Sequence, residues 1–137
     1  MKGSMKIRLL GTAQIVRNND EVTGFISNKV RALVFVVALA ERPVQRAELA
    51  QMLWEGVPNK LARKGLRTAL SNANKLLKPH LVVTRQTVTL TDAWVDVVAF
   101  RERMATQGWA EAESLYTADF LTGFSLTDAP AFEQWLL

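Results

Sequence analysis

The chain has 137 residues, 49% of them hydrophobic and 22% charged, and no cysteine. This composition suits one domain, or one domain and part of another, and excludes disulfides and thiolate metal sites. Net charge is only +4, but residues 1–41 carry +3, residues 42–90 carry +7 and residues 91–137 carry −6. This suggests two modules with different partners, the first binding a polyanion, against the plainer reading of chance clustering on a solvated face.

The longest apolar run, "ALVFVVALA" at residues 32–40, is too short to cross a bilayer. The N-terminus lacks the layout of a signal peptide. A soluble, cytoplasmic chain is expected.

Residues 5–25 read as short strands broken by turns, with Ile7 and Leu9 alternating with Lys6 and Arg8 and "RNND" turning the chain before "EVTGF". A buried helix follows, "KVRALVFVVALAE", with Asn28 as N-cap. Its valines favour strand, but its length and Ala/Leu content favour helix. Arg42-Pro43 stops it. A shorter helix, "RAELAQMLW", sets Leu49, Met52 and Leu53 on one face, closed by Trp54. "EGVPN" is a turn, with Pro58 at the first position of the next helix.

That helix is "KLARKGLRTALSNANKLLK", residues 60–78, with six basic residues and no acid. Pro79 ends it. At about 100° per residue, Lys60, Lys64, Arg67, Ser71 and Lys78 share a narrow sector flanked by Arg63, Thr68 and Lys75. Leu66, Ala69, Leu70, Ala73, Leu76 and Leu77 lie opposite. A solvated helix mixes its signs, so an all-basic face predicts an anionic partner. "LVVTRQTVTL" then reads as a β-hairpin with Arg85 and Gln86 at its tip. Helices followed by such a hairpin are the layout of a winged helix, whose second helix-turn-helix element enters the major groove.

Residues 95–137 differ in kind. "VDVVAFRERMAT" and "WAEAESLY" read as amphipathic helices packing through Val95, Val98, Phe100, Trp109, Ala112 and Tyr116. "ADFLTGFSLTDAP" is a loop and Pro130 opens a third helix, "AFEQWLL". The apolar, uncapped end at Trp135, Leu136 and Leu137 predicts that the natural chain continues, with docking of this edge on a second subunit as the alternative. The predicted class is α+β: a small N-terminal antiparallel sheet and a three-helix winged helix-turn-helix with a hairpin wing (residues 5–92), then a short all-α segment (residues 93–137).

Two stretches resemble one family in its order. "LLGTAQI…KVRALVFVVALA…VQRAELAQMLW…ARKGLRTALSNANKLL…VVTRQTVTL" resembles the OmpR/PhoB-like winged helix of SARP-type bacterial activators. "WVDVVAF…AESLYTADFLTGFSLTDAPAFEQWLL" resembles the start of the bacterial transcriptional activator domain, built of helical pairs like tetratricopeptide repeats. The resemblance implies a transcription factor on double-stranded promoter DNA with direct repeats. RNA polymerase subunits and self-association are its further implied contacts. It puts Arg63, Lys64, Arg67, Thr68, Ser71, Asn72 and Lys75 at groove-facing positions. The chain departs from the family at Gln45, where a Ser or Thr cap is usual, in a tight wing without "GY", and in Asn72 and Asn74, often Arg in relatives.

From the residues themselves, Arg67 and Ser71 are the first candidates for base edges, with phosphate contact alone as the plainer reading. Lys60, Lys64 and Lys78 suit phosphates. Asn72 and Asn74 suit adenine, though Asn74 suits a local bond equally. Thr84, Arg85, Gln86 and Thr87 form the candidate wing contact, against a wing that merely faces solvent. Trp54, Trp94, Trp109 and Trp135 read as packing anchors. His80, beside Pro79, reads as a turn residue. No phosphate-binding glycine loop, nucleophile elbow or paired-acid motif occurs, so no enzyme activity, metal or cofactor is predicted. The alternative to DNA binding is a protein-interaction module that meets an acidic protein with the same basic helix.

Overall fold

The computed structural model describes residues 4–126 and 128–136. Strands β1 (Met5–Arg8), β2 (Gln14–Arg17) and β3 (Asp20–Glu21) come first, then α1 (Asn28–Ala40), β4 (Val44–Gln45), α2 (Arg46–Leu53) and α3 (Asn59–Leu77). Strands β5 (Leu81–Val83), β6 (Thr87–Leu90) and β7 (Ala93–Val95) follow, with α4 (Asp96–Ala105), α5 (Trp109–Leu115) and α6 (Pro130–Leu136) to the end. The class is α+β, with small sheets and six helices among the described residues.

Two compact units form, and each draws on two stretches of chain: the N-terminal residues up to Val22 with Asp92–Phe124, and Thr23–Thr91 with the segment from Ser125. These units differ from the linear division at residues 92 and 93.

In the first unit Met5 and Ile7 are buried and Lys6 and Arg8 exposed, the expected period of two. Asn18 and Asn19 both take positive φ, 53° and 70°, which gives the tight two-residue turn from β2 to β3. The sheet runs β3-β2-β1-β7, and β7 lies parallel to β1. The expected purely antiparallel sheet is therefore mixed. Residues 93–95, read as the start of the helical segment, form a strand because β1 offers them a free edge and Val95 can be buried there.

Asp96 ties this strand end to the sheet. Only 3% exposed, its carboxylate accepts hydrogen bonds from the backbone N–H of Leu9 (2.8 Å), Leu10 (3.0 Å) and Val97 (2.8 Å). α4 and α5 pack on each other, with the Phe100 and Tyr116 rings 5.8 Å apart. Trp109, expected as an anchor, is 58% exposed.

In the second unit α1 is helical despite four valines, and Val30 to Leu39 are buried except Arg31. Each buried Val, Leu or Phe contributes about 1.5–3 kcal/mol, more than the fraction of a kcal/mol by which valine disfavours helix. The cap is Ser27, not Asn28. The Ser27 Oγ accepts the Val30 N–H at 3.3 Å while its own backbone is extended, and Asn28 becomes the first helical residue. Pro58 likewise takes the cap position of α3 rather than its first turn.

A second sheet, β4-β6-β5, contains the expected hairpin plus β4, a two-residue strand not foreseen. Val44 faces Val88, and both are buried. α6 packs on α2. Its Ala131 N–H donates to Glu55 in the α2–α3 turn at 2.8 Å, and Phe132 is fully buried. Lys29 holds Asp128 at 2.8 Å and lies 5.3 Å from the Trp54 ring centre.

Candidate nucleic-acid interface

α3 is built from good helix formers and is sharply two-sided. Ala62, Leu66, Ala69, Leu70, Ala73 and Leu77 are buried. Lys60, Arg63, Lys64, Arg67, Thr68, Ser71, Lys75 and Lys78 are exposed. The side chains of Lys60, Arg63, Lys64, Arg67 and Lys75 make no ion pair with a carboxylate among the described residues. The face expected from the helical wheel is present, and these five cations on it are not neutralised by a carboxylate among the described residues. Lys75 also lies in the last turn of α3, where a cation complements the helix dipole.

Gly65 is the one break in this pattern of side chains. A Cβ there would sit 2.5 Å from the Trp54 indole nitrogen. The glycine lets Trp54 lie flush against α3, so Trp54 stands beside the basic residues in space, though the sequence places it apart from them.

Asn72 is a correction. Its Oδ1 accepts the Ile26 N–H at 3.0 Å and its Nδ2 donates to the Gly24 carbonyl at 3.2 Å. Both ends of the amide brace the loop that precedes α1, so Asn72 is not presented to a base. Thr68 donates its hydroxyl proton to the Lys64 carbonyl at 3.1 Å and keeps only acceptor capacity.

The hairpin tip is held by side chains. Neither Arg85 nor Gln86 takes the positive φ that the usual two-residue hairpin turns demand. Instead the Thr84 hydroxyl oxygen accepts the N–H of Thr87 at 2.9 Å and that of Gln86 at 3.3 Å, and it lies 2.8 Å from the Thr87 hydroxyl. Thr84 and Thr87 are thereby used in making the turn, which departs from their expected role as contacts. Arg85 and Gln86 stay exposed at the tip.

Arg46, not singled out in the sequence, grips this tip from the start of α2. Its Nη1 donates to the Thr84 carbonyl at 3.1 Å and its backbone N–H to the Gln86 carbonyl at 2.8 Å.

α2, α3 and the hairpin tip enclose an open cleft of about 1120 Å³. Arg46, Lys60, Arg63, Arg67 and Arg85 line it, and Trp54 and Leu66 are among its apolar walls. The one carboxylate on it, Glu55, accepts the Ala131 N–H. Five cations around a concave surface raise the local concentration of any anion that fits it. Among the described residues no group of three His, Asp or Glu side chains could hold a metal ion, and no helix is long and apolar enough to cross a membrane.

No family model and no curated protein matches the chain. A solved structure does: Mycobacterium tuberculosis EmbR in complex with a low-affinity phosphopeptide, with a TM-score of 0.73 and 21% identity over 98% of this chain. The chain shares that fold. It spans 41% of the length of that EmbR chain.

Proposed function

We infer that the chain is a sequence-specific double-stranded DNA-binding regulator of SARP type, acting as a transcriptional activator. α1, α2, α3 and the β5–β6 hairpin act as a winged helix-turn-helix: α3 enters the major groove and the hairpin reaches the backbone or the adjacent groove. The observation that carries this is the outward face of α3, where Lys60, Arg63, Lys64, Arg67 and Lys75 have no acidic partner among the described residues, continued by Arg85 on the same cleft as Lys60, Arg63 and Arg67. The likeness to EmbR supports the regulator fold.

Arg67 and Ser71, in the middle of the face, read base edges. Arg63, Lys60, Lys64, Lys75 and Lys78 hold phosphates, and Arg85 and Gln86 act from the wing. Residues 5–92 carry these contacts and 93–137 begin a TPR-like activator module, even though each compact unit draws on both spans. Promoter DNA with direct repeats, RNA polymerase subunits and a second copy of the chain are the partners this reading implies, in the cytoplasm.

The test is selection from a random duplex library, followed by gel-shift of Arg67→Ala and Lys64→Ala on the recovered duplex. A recovered consensus, with loss of binding in folded variants, supports the reading. A folded wild-type chain that enriches no duplex overturns it in favour of a module whose basic helix meets an acidic protein.

A further inference from the structure

We propose that Arg46 is a positioning residue for the wing: by wrapping the hairpin turn it fixes Arg85 on the cleft, so that α3 and the hairpin engage one duplex at a set spacing. This rests on the DNA-binding reading above.

The bonding pattern of the turn leads to it. Thr84 directly follows β5 and Thr87 opens β6, and the Thr84 N–H donates to the Thr87 carbonyl at 2.9 Å. The reciprocal bond is displaced, because the Thr87 N–H goes to the Thr84 hydroxyl instead of its carbonyl. That carbonyl would lack a protein partner, and the Arg46 guanidinium supplies one. The Arg46 backbone N–H, one of the donors a helix start leaves without an intrahelical acceptor, takes the Gln86 carbonyl. The two residues of the tip, Arg85 and Gln86, are thus held on both sides by one residue of α2.

A charged donor makes a stronger hydrogen bond than a neutral one, and it does so here at an exposed turn, where the half-buried Arg46 is anchored by its place at the start of α2. β4 adds a further tether, with Gln45 opposite Thr87. The hairpin tip therefore moves with the start of α2 rather than swinging alone. Because Arg46, Arg67 and Arg85 line one cleft, the grip sets where the Arg85 charge stands relative to the face of α3.

The test compares wild type with Arg46→Ala, Arg46→Lys, Arg85→Ala, the Arg46→Ala/Arg85→Ala double variant and Thr84→Val. The probes are the duplex recovered by selection and sheared double-stranded DNA, and the fold is checked by circular dichroism. Positioning requires that Arg46→Ala weaken binding to the selected duplex about tenfold and raise amide exchange at Thr84 and Thr87 by about as much. The double variant should then bind no more than about twofold more weakly than Arg46→Ala alone, since Arg85 is already misplaced. Thr84→Val, which opens the turn without removing a charge, should lose affinity and lower the salt slope as Arg85→Ala does, because the Arg85 charge no longer stands at the duplex. Arg46→Lys, which keeps the charge but not the fork, should fall with Arg46→Ala.

Additive losses in the double variant with undisturbed amide exchange would make Arg46 a direct phosphate contact and overturn the proposal. So would wild-type behaviour of Thr84→Val. If wild type binds neither probe, the DNA-binding reading fails by itself. The exchange data then decide the grip alone: unchanged protection in Arg46→Ala ends it, and lost protection keeps it.

Discussion

Gly65 lies inside the nineteen-residue α3, where glycine normally costs about 1 kcal/mol relative to alanine. Propensity alone predicts that Gly65→Ala stabilises the protein. The Trp54 indole nitrogen, 2.5 Å from the added methyl, reverses the sign. Gly65→Ala should destabilise by about 1–3 kcal/mol, read by urea denaturation, with a shift in Trp54 fluorescence. Asp96 makes a similar case. Asp96→Ala removes the acceptor of three backbone N–H groups at a buried site and should cost about 2–4 kcal/mol in the same measurement. Neither role was legible in the sequence. A glycine in a helix and an acid at a helix start look ordinary, and the atoms that give them meaning come from other elements, 87 residues away in the case of Leu9 and Asp96.

Elements were far more legible, because a helix face or a strand alternation is written in contiguous residues. The six helices and the hairpin lie where the periodicities put them, to within a residue or two at the ends. What escaped were β4 and β7, too short to carry a period and made strands only by the edges they meet. The basic side of α3 was fully readable, whereas the diversion of Asn72 to the Gly24 and Ile26 backbone was not. If α3 is the reading element, Arg67→Ala should cost about 1–3 kcal/mol of binding and relax preference at one base position. Lys64→Ala should weaken all duplexes alike and lower the salt slope by about one. Competition gel-shifts over a salt series separate the two. The segment before α6 carries a pH dependence. The hydrogen bond from Lys29 holds the Asp128 carboxyl below the usual aspartate range. Its tethering is therefore fully present above the ordinary aspartate pKa and is lost as pH falls through the lowered value. Acidification below about pH 4 should loosen Asp128 from Lys29 and change the emission of Trp54, over which Lys29 lies. Asp128→Asn should abolish that transition.

At the scale of the whole molecule the decisive fact is that both compact units are discontinuous. A fragment of residues 5–92 corresponds to the expected winged helix, yet it lacks β7, Asp96 and α6. It should melt well below the intact chain, with its N-terminal strands losing amide protection first, as followed by thermal denaturation and hydrogen exchange. DNA affinity of the intact chain should fall linearly in log–log plots against salt, with a slope of about −0.9 per phosphate contacted.

The parallel pairing of Met5 with Ala93 also sets a timetable. β1, made before its parallel neighbour, has to wait for a partner 88 residues behind it, about 4–18 s at usual elongation rates. During that interval Thr23–Thr91, the larger stretch of the other unit, emerges in one piece. The last strand of the first sheet then closes a long loop, the slow kind of contact, so the order of synthesis favours the basic helix and its hairpin taking shape before the N-terminal sheet is complete.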